Sequence, residues 1–350
     1  MERKRLREMG GSIGSYSSGK YNSITDIDGV KVGHKTLHYD LEGTMVRTGV
    51  TAILPHGGNL FREKVCAGCH VINGFGKTVG TIQMEELGVL ESPILLTNTL
   101  SVGDVVKGTV QYMLDETPEI GDTTGTVNVV VGECNDGFLN DIRGLHVKPE
   151  DAWEAIVHAQ SGPVDEGCIG AGTGMLCLGY KGGIGTSSRE YAFGDEKYTV
   201  GALVLTNFGQ RKDLRLPILN YGEDQHTPDG SIMIILATDA PLNERQLKRL
   251  AKRASFGLSR TGSYAAHGSG DVVLAFSTAH RIPHQPSNEN TIPYSFIKED
   301  GPIISTLFEM TVDSVEEAIW NSLCKAETTT GRNGRKMEAI PLDLLNGLVK

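Results

Sequence analysis

Apolar runs bounded by glycine recur along this chain, and they limit its fold more than any other feature: TGVTAILP, SPILLTNTL, VNVVVGE, YTVGALVLTN, SIMIILATD and DVVLAFST. Runs of this length without polar alternation are expected to be strands buried on both faces. Helix signals lie between them. Asn243 and Gln246 form a capping box, Leu242 and Leu247 are placed as a hydrophobic staple, and Leu247, Leu250, Ala251, Ala254 and Leu258 follow at helical spacing. A second helix is expected from Pro149, carrying Trp153, Ile156 and Val157. A third is expected from Ser314 with Glu317 as capping partner, burying Ile319, Trp320 and Leu323. Strands alternating with helices make the chain α/β or α+β.

At 350 residues the length alone suggests two domains. With 39% hydrophobic and 22% charged residues the chain reads as globular, and its 44 glycines imply many tight turns and close backbone approaches. A net charge of -10 argues against a nucleic-acid partner. The start, MERKRLREMGGSIGS, lacks the apolar stretch of a signal peptide, and no later segment is apolar enough to span a membrane, so a cytoplasmic protein is expected. Six cysteines (Cys66, Cys69, Cys134, Cys168, Cys177, Cys324) are too sparse for a disulfide scaffold and are expected to be thiols.

Three motifs imitate cofactor sites. Cys66, Cys69 and His70 spell C-A-G-C-H, but without a second ligand pair they are expected to be small thiols packing a turn. Gly76, Lys77 and Thr78 resemble the end of a phosphate loop whose first glycine is replaced by Val71. GAGTGMLCLGYKGGIGTSSR lacks dinucleotide spacing, and is either a hairpin or a place where backbone approaches a ligand or partner. No metal or cofactor is expected.

The one break in texture is GQRKDLRLPILNYGEDQHTPDG, residues 209–230, polar and rich in turn formers, which reads as a mobile surface connection. It ends at Gly230, where Ser231 opens a very apolar run. A serine hydroxyl is a poor nucleophile until a base takes its proton, and the amine of the same residue can do so if that residue becomes an N-terminus. Gly230, with no Cβ, tolerates the distorted backbone such a cut requires. Asn207, the HGSGD segment with Ser269 and Asp271, and VGECNDGFLND all place polar groups at strand ends, where sheet sites usually sit.

The order of ITDIDGVKVGH, INGFGKTVGTIQMEELG, TNTLSVGDV, VGECNDGFLNDIRG, YTVGALVLTNFG, DGSIMIILATDAPL, GSGDVVLAFST and AETTTGRNG resembles the DmpA-type family of L-aminopeptidase/D-amino-acid esterase-amidases, which includes the β-peptidyl aminopeptidases. The resemblance spans nearly the whole chain. It implies a single four-layer αββα domain over 1–350, self-cleaved into 1–230 and 231–350, and a homo-oligomer, commonly a tetramer of cleaved protomers. It also implies Ser231 as nucleophile, Asn207 as an oxyanion donor, and Ser269 with Asp271 as a relay to Ser231 or its amine. The substrate would be a small peptide, amide or ester with a free amine. Glu133 is the candidate for binding that amine, or else a carboxylate capping a turn. Phe138, the second candidate for binding substrate, stands where the family has tyrosine.

Three alternatives remain at this level. His267 could serve as base of a Ser-His-Asp triad. The chain could be an acyltransferase resembling the ornithine acetyltransferases, which typically carry an N-terminal threonine, or a non-catalytic binding protein that kept the fold.

Overall fold

The computed structural model describes residues 3–216, 230–285 and 291–348. The first strands are β1 (Lys31–Leu41), β2 (Thr44–Leu54), β3 (Glu63–Gly74), β4 (Val89–Leu90), β5 (Ile94–Asn98) and β6 (Val130–Cys134). A short hairpin of β7 (Leu176–Cys177) and β8 (Tyr180–Lys181) precedes β9 (Ile184–Phe193), β10 (Glu196–Asn207), β11 (Ser231–Thr238) and β12 (Gly270–Pro283), and β13 (Thr329–Thr330) pairs with β14 (Lys336–Met337). The helices are α1 (Thr81–Leu87), α2 (Val102–Glu116), α3 (Pro149–Val157), α4 (Glu244–Thr261) and α5 (Pro302–Lys325).

The long strands form two stacked sheets, a four-stranded one in the order β1-β2-β5-β6 and a six-stranded one in the order β4-β3-β12-β11-β10-β9. Each contains one parallel pair, β5 with β6 and β11 with β12. Parallel neighbours need a long crossover. Helix α2 supplies it outside the smaller sheet and α4 outside the larger, so α2 and α3 cover one outer face while α4 and α5 cover the other. This is the expected single αββα domain, and it overrides the two-domain suggestion of length.

Strand β11 shows why its sequence has no polar alternation. Ile232, Ile234 and Leu236 pack toward α4 and α5, whereas Met233, Ile235 and Ala237 pack between the sheets against Leu96, Val130, Leu203 and Leu274. Each such buried Ile, Leu or Met contributes about 1.5–3 kcal/mol.

Several expectations change. Helix α5 begins at Pro302 behind Gly301, not at Ser314. Its middle is buried nearly all round, which blurs the start signal, and Glu317 is no cap but a buried partner of Arg7, Arg189 and Asn22. The C-A-G-C-H segment lies within β3 rather than in a turn, with Cys66 and Cys69 buried and His70 half-buried. The glycine-rich run contains the expected hairpin, β7–β8, and also packs closely on α5: a Cβ on Gly185 would lie 2.0 Å from the Ala318 carbonyl oxygen. Of the connection 209–230, residues 209–216 fold onto the body with Leu214 buried, and 217–229 lie outside the described residues. No helix among the described residues is long and apolar enough to cross a membrane.

Candidate active site

Three strand ends of the larger sheet meet at one point. Because β10 runs antiparallel to β11 and β12 runs parallel to it, the last residue of β10 (Asn207) pairs with the first of β11 (Ser231), which pairs with the first of β12 (Gly270). Strand alternation puts Ser231 on the same side as Met233, between the sheets, and it is 5% exposed.

The Asn207 side chain is held at three points. Its Oδ1 accepts the Leu176 N–H at 3.1 Å, and its Nδ2 donates to the Asn135 carbonyl at 2.9 Å and toward Ser231 Oγ at 3.4 Å. The Leu176 N–H needs an oxygen opposite it, so the amide's donor face is fixed toward Ser231. Gly230 is required by space: a Cβ there would come 2.8 Å from Phe208 Cα. Its carbonyl accepts the Gly270 N–H at 3.1 Å, which withdraws electron density from the carbon before Ser231.

Ser269 Oγ donates to Asp271 Oδ1 at 2.6 Å, so the Ser-x-acid pair is in contact. Burial raises the Asp271 carboxyl to about 6, opposed by hydrogen bonds from Ser269 and the Ile232 backbone, and its Oδ2 has no partner among the described residues. The pair therefore reaches the Ser231 strand through backbone, at Ile232 and through Gly270. His267 is exposed, and among the described residues its ring makes no hydrogen bond to Ser231, Ser269 or Asp271, so the triad alternative has no contact behind it.

The smaller sheet contributes the end of β6. The Cys134 thiol lies against the Ser231 hydroxyl, and burial pushes its pKa far up, which keeps it protonated and unreactive. Beside it Glu133, 4% exposed, accepts the Lys77 N–H at 3.0 Å and the Thr99 hydroxyl. Both readings of Glu133 thus have support, since it caps the Gly76–Thr78 loop and is also a buried carboxylate with no cation paired to it among the described residues. Phe138 is half-exposed, with the Arg335 guanidinium 5.1 Å above its ring.

Sequence reasoning missed Asn73, whose Nδ2 ties the Ala266, His267 and Ser269 carbonyls together, and Cys134 as the neighbour of Ser231. The Gly270 N–H and the Asn135 carbonyl are backbone groups and leave no sequence signal. Asn73 lay one residue before the Gly74 end of β3, a strand that the pattern of apolar runs did not reveal.

Residues 22–337 match the profile of peptidase family S58. The beta-peptidyl aminopeptidase BapA of Sphingosinicella microcystinivorans is 41% identical over 376 residues, an alignment that covers 100% of this chain and 92% of that one. The PH0078 protein from Pyrococcus horikoshii OT3 is similar in structure, with a TM-score of 0.92 and 50% identity over 99% of this chain and 98% of that chain. The L-aminopeptidase D-Ala-esterase/amidase from Ochrobactrum anthropi, described as a prototype for the serine aminopeptidases and a variant of the Ntn hydrolase fold, has a TM-score of 0.90 and 39% identity over 98% and 97%. These matches set aside the acyltransferase and binding-protein alternatives: the chain belongs to peptidase family S58 and is an aminopeptidase.

Proposed function

We propose that this aminopeptidase cuts its own Gly230–Ser231 bond and then uses the freed Ser231 to release N-terminal residues from short peptides, amides or esters, β-peptidyl ones included. The meeting of Asn207, Ser231 and Gly270 at three strand ends carries this reading. In maturation Ser231 Oγ adds to the Gly230 carbonyl, already polarised by the Gly270 N–H, the C–N bond breaks to give an ester, and water hydrolyses the ester. The new α-amine, with a reference pKa of about 7.7–8.0, is the base that takes the Ser231 proton during turnover. Asn207 Nδ2 stabilises the oxyanion, Ser269 and Asp271 orient the amine, and Glu133 receives the substrate's ammonium. The β-peptidyl assignment is supported by the name of the 41% identical relative.

Intact-mass measurement of the wild type beside Ser231→Ala tests the reading, followed by a screen of α- and β-aminoacyl p-nitroanilides. The wild type should give two fragments that stay together and the variant one whole chain, with turnover lower by about 10³-fold or more. A wild-type chain that stays whole and active overturns self-cleavage; an active variant overturns Ser231 as nucleophile. Cleaved protomers are further proposed to assemble as a cytoplasmic homo-oligomer, a tetramer, which light scattering would test. All six cysteines being free thiols supports the compartment.

A further inference from the structure

The loop of residues 74–78 leaves β3 in the larger sheet and arrives beside β6 of the smaller one, fastened at both ends. At its start the Phe75 N–H donates to the Ser269 carbonyl at 3.3 Å, and the Phe75 carbonyl oxygen presses on Gly270, where a Cβ would come within 2.5 Å of it. At its end the Lys77 N–H donates to Glu133 Oε1 at 3.0 Å, and Val79 exchanges hydrogen bonds of 2.9 and 3.2 Å with Val131 of β6. Residue 76 therefore has a fixed place between Gly270, the ladder partner of Ser231, and the carboxylate of Glu133.

Gly76 is a glycine that the fold does not require. Gly230 and Gly270 leave no room for a side chain, as their Cβ positions would lie 2.8 Å from Phe208 Cα and 2.5 Å from the Phe75 carbonyl oxygen. Gly76 is not in the left-handed region, and a Cβ on it would meet Glu133 Oε1 at 3.5 Å and Gly270 Cα at 3.7 Å, ordinary van der Waals distances. Flanking residues aside, no other heavy atom among the described residues comes within 4 Å of that point. The absent side chain leaves a space that touches the candidate amine-binding carboxylate on one side and the strand neighbour of the nucleophile on the other. Residue 76 is exposed, so the space opens to solvent, whereas Glu133 is buried. Glu133 also keeps acceptor capacity, because the Lys77 N–H uses one lone pair of Oε1 and the Thr99 hydroxyl one of Oε2.

We propose that Gly76 is a specificity-determining position: the space it leaves receives the side chain on the substrate's ammonium-bearing carbon, which is Cα of an α-amino acid and Cβ of a β-amino acid. The inference rests on the proposed role of Glu133. An ammonium accepted by Oε1 lies about 2.8 Å from it, so the first atom of a substituent on the attached carbon falls about 3.5–5 Å from the same oxygen. The missing methyl of Gly76 belongs to that same shell. One position thus serves both substrate classes, because the substituent is counted from the ammonium rather than from the scissile carbonyl.

The test compares kcat/KM for alanyl and leucyl p-nitroanilides with that for the glycyl one, and for the β-homoleucyl with the β-alanyl one, in wild type, Gly76→Ala and Glu133→Gln. Glycyl and β-alanyl groups carry no substituent on the carbon in question. Gly76→Ala should lower the leucyl-to-glycyl and β-homoleucyl-to-β-alanyl ratios by about 10–100-fold, mainly through KM, as a methylene-sized change in a pocket does, with alanyl in between. Glu133→Gln should lower all substrates alike and keep the ratios within about twofold, since every one carries the ammonium. Turnover of the glycyl substrate shows that each variant is folded, and intact mass reports Ser231 chemistry independently, so failure at Gly76 is distinguishable from failure of Glu133 or Ser231. Ratios that Gly76→Ala leaves unchanged, whether or not all rates fall together, or a wild type that turns over only the unsubstituted substrates, would overturn the proposal.

Discussion

The two sheets each bring one side of the candidate site to Ser231, and they fix it by different means. The six-stranded sheet contributes Asn207, Ser231 and Gly270 through ladder register alone. The four-stranded sheet contributes the end of β6, where Glu133 is held by the Lys77 N–H and the Thr99 hydroxyl, and then hands over to the turn after it, whose Asn135 carbonyl takes the Asn207 amide. Strand β11 is apolar on both faces, so a slip of one residue would exchange one buried set for another with little loss of burial. The polar ends pin it: Thr238 Oγ1 donates to the Thr199 carbonyl at 2.7 Å at one end, and Gly230, Ser231 and Asn207 lock the other. The ladder side thus favours one invariant geometry for bond breaking, and the turn side is free to vary with the substrate.

Asn207→Ala should break this contrast most sharply, lowering kcat by about 10²–10³-fold with β-strand content unchanged by circular dichroism, as loss of an oxyanion donor does elsewhere. A loss below threefold would remove Asn207 from the chemistry. On the other side, Glu133→Gln should lower kcat/KM for free-amine substrates by about 10–100-fold, the worth of a charge-assisted contact. An unchanged kcat/KM would leave Glu133 as a loop cap only.

Asp271 sharpens the comparison through pH. If the carboxylate form is needed, activity falls as pH drops through about 6, so a wild-type rate at pH 5 about one tenth of the plateau is expected. Stability has the opposite slope. The folded chain keeps this proton up to about 6 while the unfolded chain releases it near 3.8, so the folded state binds more protons between these values and loses stability as pH rises. In the uncleaved Ser231→Ala chain, adding Asp271→Asn should remove that slope, at most about 3 kcal/mol, in denaturant titrations at pH 4 and 7.

Much of this was legible in the sequence, and the exceptions have causes. The buried strands β2, β5, β6, β10, β11 and β12 announced themselves because both faces are covered. Strand β1 did not, being half-exposed with Lys, His and Asp along it, nor did β3, whose glycines and thiols imitate a motif. Helix α5 hid its start because its buried middle presents no polar face to set a period. At the site, Ser231, Asn207, Ser269 and Asp271 stand out as polar groups at strand ends, but only the family resemblance gave them roles. That Asn207 needs Leu176, or that Asn73 ties down the Ser269 loop, depends on segments far apart in the chain.

The position of β11 also sets an order of events. It lies between β10, which precedes the Gly230–Ser231 bond, and β12, which follows it, while α5 from the later part seals β9 and β10 from the earlier part. The later part has no hydrophobic interior of its own, because its strands and helices pack into two clusters shared with the earlier part, which holds a further cluster around Val50, Leu95, Val105 and Ile156 by itself. Asn207 comes from the earlier part and Ser231 and Gly270 from the later one, so the proposed cut at this bond would follow the pairing of β10, β11 and β12, and its two products would be interleaved like the leaves of one sheet. If the bond is cut as proposed, the cut is a one-way step: a cleaved protomer that unfolds has lost the covalent connection that first brought its halves together, so refolding would have to begin from two separate molecules.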